Sequence, residues 1–88
     1  MTISLAEWTE QLDTERRHLI KADRDIEEGS QRIRDQEDRV RQLSADGCDA
    51  GQAERLVEAL KQTLTEWLRH RVLIQQRIAY LRQQVGPE

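Results

Sequence analysis

The sequence predicts an all-α fold: an antiparallel hairpin of two long helices with coiled-coil-like packing, expected to dimerise into a four-helix bundle. Three observations predict it. Apolar residues recur at alternating steps of three and four along most of the chain, the period at which side chains return to one face of a helix. One interruption, Asp46-Gly47-Cys48-Asp49, splits that pattern in two. Finally, 36% of residues are hydrophobic and 35% are charged, with no Phe, a mixture suited to solvated helices sharing a narrow apolar seam. Such charge content also occurs in disordered chains. Here the net charge is only −3 and Pro87 is the sole proline, so the periodicity decides for helix.

Helix 1 is expected over residues 5–45. Ser4-Leu5-Ala6-Glu7 fits a capping box, in which the Ser4 hydroxyl accepts from the Glu7 amide and the Glu7 side chain reaches back. Ile3 and Trp8 occupy the staple positions on either side of that cap. The seam then runs through Leu5, Leu12, Leu19, Ile26, Ile33 and Val40, alternating with Trp8, Glu15, Ala22, Gly29, Gln36 and Leu43. A seven-residue repeat of this length predicts left-handed supercoiled packing.

The turn is expected at 46–49. Gly47 suits the left-handed conformation that closes a helix C-terminus, and Asp49 is expected to cap helix 2 with Gln52 as its capping-box partner. Helix 2 then spans 50–85 and stops at Gly86-Pro87. Its seam is built on Ala53, Val57, Leu60, Leu64, Trp67, Arg71, Ile74, Ile78, Leu81 and Val85. Folding at Gly47 and Cys48 pairs positions whose numbers sum to about 96, so Gly29 is expected opposite Trp67, its missing side chain making room for the indole. The same rule puts Arg71 beside Asp25 and Ile26, as a seam ion pair that sets register. It also leaves Leu5 and Trp8 overhanging the end of helix 2.

Between Trp67 and Leu81 the apolar residues of helix 2 spread almost all round its axis, because Leu68, Val72 and Ala79 widen the stripe and Leu73 and Tyr80 lie opposite it. A helix apolar on several sides is normally covered on several sides, and helix 1 covers one. The expected interface therefore comprises Leu5, Trp8, Ile20, Trp67, Leu68, Val72, Leu73 and Tyr80. The expected partner is a second copy of the chain, with a different protein on the same surface as the alternative. One domain of 88 residues also has too little core to rely on alone.

No motif identifies an activity. Glu15-Arg16-Arg17-His18 has the Glu-x-x-His spacing of di-iron bundles, but the helix 2 region facing it, Ile78 to Arg82, offers no carboxylate. Arg77 or Arg82 is the expected partner of Glu15. A metal-binding bundle completed by oligomerisation is the alternative to an interaction module, yet no metal ligand, cofactor site or catalytic residue is assigned. Asp23, Asp25, Glu27 and Glu28 fan round a helix instead of converging as Ca²⁺ requires. Cys48 is the only cysteine, a turn thiol with no histidine base beside it. It excludes an internal disulfide framework. Carboxylates outnumber Lys and Arg by 17 to 14, and the short basic groups Arg16-Arg17-His18 and Arg69-His70-Arg71 are dispersed by helical geometry, so no nucleic-acid stripe is expected. An acidic nucleic-acid accessory protein is the weakest alternative. The N-terminus lacks the pattern of a signal peptide and no stretch approaches the ~20 apolar residues of a membrane span. The expected setting is the cytoplasm.

The run Ala22-Asp23-Arg24-Asp25-Ile26-Glu27-Glu28-Gly29-Ser30-Gln31-Arg32-Ile33-Arg34-Asp35-Gln36, followed by Asp46-Gly47, Ala53-Glu54, Leu56-Val57 and His70-Arg71, resembles an uncharacterised family of short bacterial helical-hairpin proteins. Their run is of the type A-E-R-x-I-x-E-G-E-x-R-I-x-x-Q. The likeness covers residues 19–78 and departs from the pattern at Asp25, where a histidine is common, and at Ser30, where a glutamate is usual. It implies a helical hairpin and brings no established activity. The functional expectation is a non-enzymatic helical module that self-associates and binds or sequesters a partner protein.

Overall fold

The computed structural model describes residues 2–86, and Met1, Pro87 and Glu88 lie outside the described part. It contains two antiparallel helices, α1 (Leu5–Ala45) and α2 (Gly51–Val85), with no strand among the described residues. The helix-stopping role expected of Pro87 therefore lies outside the described residues. Neither helix is long and apolar enough to cross a membrane.

The caps explain why the helices begin and end where they do. Ser4 has extended backbone, and its Oγ accepts from the Glu7 amide at 3.2 Å, which satisfies one of the orphan donors of the first turn. The reciprocal half of the capping box, from the Glu7 carboxylate to the Ser4 amide, is not formed among the described residues. At the other end of α1, the Cys48 amide donates to the Leu43 carbonyl at 2.8 Å and the Gly47 amide to the Ser44 carbonyl at 3.2 Å. Gly47 has φ +72°. These two bonds around a left-handed glycine form a Schellman motif.

The start of α2 differs from expectation. Ala50, not Asp49, is the N-cap, and it makes no side-chain capping bond. Asp49 instead accepts from the Gly51 amide at 2.9 Å, two residues on, in the manner of an Asx-turn. The reason is steric economy at the turn: Ala50 is buried, so the small side chain sits inside while the carboxylate stays in water.

The core is one seam. Leu12, Ile74, Ile78 and Leu81 form its best-buried cluster, with Trp8, Leu19, Ala22 and Val85 packed around it. Nearer the turn, Ile33, Val57, Ala53 and Ala50 are buried. Leu81 is 0% exposed, and removing a side chain of that size from water contributes about 1.5–3 kcal/mol. The expected register holds at its centre. A Cβ built on Gly29 would lie 3.2 Å from Cζ3 of Trp67 and 3.9 Å from Cδ1 of Leu64, so the indole occupies the space that the glycine leaves.

Two register expectations need correction. Arg71 pairs with Asp23 at 2.5 Å, not with Asp25, which is held by Lys21 on its own helix at 2.9 Å. Trp8 does not overhang α2: it packs on the core cluster and meets Tyr80 edge-on, with ring centroids 6.0 Å apart. A single sum of residue numbers describes only the centre of the seam. Toward the open end the observed pairs fall progressively below it, from 96 at Gly29–Trp67 to 94 at Asp23–Arg71, 92 at Glu15–Arg77 and 88 at Trp8–Tyr80, so the two helices drift out of the single register and α1 residues meet earlier α2 partners.

The result is a rod. Its principal extents are 66 × 19 × 15 Å and its radius of gyration is 19.6 Å, against about 12 Å for a compact domain of this length. Two substitutions test the description. Gly47→Ala is expected to destabilise by about 1 kcal/mol because of the left-handed backbone, although nothing lies within 4 Å of a Cβ placed there. Gly29→Ala is expected to fall short of the ~1 kcal/mol propensity gain of alanine over glycine, and to show that gain in a Trp67→Leu background. Urea unfolding of the four chains checks this; equal gains in both backgrounds would refute the indole-over-glycine packing.

Candidate interaction surface

Two interhelical ion pairs mark the opposite edges of the seam near the open end. At one edge, Arg71 Nε lies 2.5 Å from Asp23 Oδ1. At the other, Arg77 Nε lies 3.2 Å from Glu15 Oε1. Because Arg71 and Arg77 are six residues apart, 100° per residue turns them to different flanks of α2. These pairs sort the apolar residues outside the seam. Leu68 follows the Arg71 edge, one turn away, with Ile20 one turn from Asp23 on α1. Leu73 and Tyr80 follow the Arg77 edge, four residues before it and three after. Val72 continues from Leu68 round the outside of α2 towards Leu73.

The interface residues expected from sequence thus do not form one flat patch. Leu5, Ile20, Leu68, Val72, Leu73 and Tyr80 are exposed, with Leu73 at 62% and Leu5 at 61% the most open. Trp8 and Trp67 are half-buried within the hairpin, Trp8 on the cluster around Leu81 and Trp67 over Gly29. The exposed set wraps the outer side of α2, with Leu5 and Ile20 contributed by α1. Leu56 is also exposed, at 44%, near the turn. Its signal in the sequence was the Leu56-Val57 pair, of which a helical seam takes only one member.

The polar groups of this region are mostly engaged. Glu15 has only 15% of its side chain exposed, and besides Arg77 it faces Nδ1 of His18 at 3.5 Å. The carboxylate that gave the Glu-x-x-His motif its interest is therefore already balanced by a guanidinium. No group of three potential metal ligands converges among the described residues. Near the turn, Lys61 Nζ lies 3.8 Å from Glu37, and pairs within one helix join Arg69 to Glu66 at 2.7 Å and Lys21 to Asp25 at 2.9 Å. Cys48 is exposed and free. A shallow depression beside the Arg77 edge is lined by Glu7, Gln11, Thr14, Glu15 and Arg77.

The interhelical ion pairs flank the seam and remain partly wet, with Arg71 33% and Asp23 51% exposed. Solvent screening limits such a pair to about 0–1 kcal/mol. Asp23→Ala is accordingly expected to lower stability by less than ~1 kcal/mol, with the loss shrinking as salt is raised. Thermal unfolding at low and high salt measures it. A larger, salt-independent loss would show Asp23 to be part of the core instead.

Compared with known protein families, with curated proteins and with solved structures, the chain matches none.

Proposed function

We propose that the chain is a non-enzymatic helical interaction module, which self-associates as a homodimeric four-helix bundle and through it binds or sequesters a partner protein. The observation that carries this reading is the outer side of α2, where Leu68, Val72, Leu73 and Tyr80 stand exposed although the same helix already buries Ile74, Ile78 and Leu81 on its inner side. The size of the exposed surface supports it. The accessible surface is 6855 Å², whereas a folded monomer of 10.4 kDa is expected to expose about 5,400 Å². The difference, roughly 1,400 Å², exceeds the ~800 Å² that each partner contributes to a standard interface. In this reading the protein works in the cytoplasm, where a lone exposed thiol such as Cys48 stays reduced.

Sedimentation analysis of the whole chain tests the reading. Dimers are expected at micromolar concentration, and Leu73→Glu with Tyr80→Glu is expected to weaken association by at least about tenfold, roughly 1.4 kcal/mol. Leu73 is outside the seam and Tyr80 touches it only through the rim of Trp8, so helical content by circular dichroism should be largely retained. A chain that stays folded and monomeric throughout, with or without the substitutions, would overturn the reading.

A further inference from the structure

We draw no further inference here: the strongest candidate, the apolar patch of Leu68, Val72, Leu73 and Tyr80 left exposed on α2 outside the seam, carries nothing beyond the association already proposed, because nothing in the structure shows what covers it.

Discussion

Among the described residues of the single chain, the helices are shielded from water only where α1 meets α2, and a pair of helices has just one such contact. Everything else in the molecule follows from that restriction. A helix face wide enough to carry Leu12, Ile33, Val57, Ile74, Ile78 and Leu81 inward leaves the greater part of each cylinder exposed. The chain can lengthen the seam but cannot thicken it, hence a rod 66 Å long and only 15–19 Å across. Hydrophobic burial scales with seam length, so stability is spread along the rod instead of concentrated in a centre.

Within that seam, non-aliphatic positions determine how the helices meet. Gly29 admits the Trp67 indole, and Asp23–Arg71 and Glu15–Arg77 close the two edges nearer the open end. Each is unfavourable or neutral when judged alone. A glycine lowers helix propensity, and partly wet ion pairs contribute little. Together they distinguish one antiparallel register from its neighbours, since sliding α2 by a turn would drive the indole into a side chain and part both ion pairs. A purely aliphatic seam tolerates such slips, and polar interruptions are a known means of specifying one arrangement.

The two helices differ in what they present outward. α1 is mostly charged on its outer face, with Ile20 as an exposed apolar exception, whereas α2 beyond Arg69 exposes Val72, Leu73 and Tyr80 outside the seam. That asymmetry links the architecture to the function proposed above. A rod built from two equally charged helices would be complete as it stands. One whose second helix has two apolar sides has surface to spare for association, and the excess over a globular chain of the same mass is large enough for a standard interface. The same region holds the best-buried cluster, around Leu81, so the proposed association surface lies beside the best-packed part of the seam.

The helix boundaries, the turn at Gly47 and the Gly29–Trp67 juxtaposition were legible in the sequence because each depends on local chemistry or on a period that any helix must obey. The Ser4 cap and the left-handed glycine act within a few residues of themselves, and the seven-residue spacing is a property of the chain before it folds. What the tertiary structure alone decided was the reach of individual side chains across the seam. Asp49 gave up its expected cap because Ala50 was drawn inside. Arg71 found Asp23 while Asp25 was held by Lys21, and Trp8 found Tyr80 instead of overhanging. The eight residues read as one interface separated in the same way, with Trp8 and Trp67 turned inward and the rest left on the surface. Periodicity assigns a residue to a face, but where a long side chain ends depends on the neighbours competing for it. That competition exists only once the two helices are side by side.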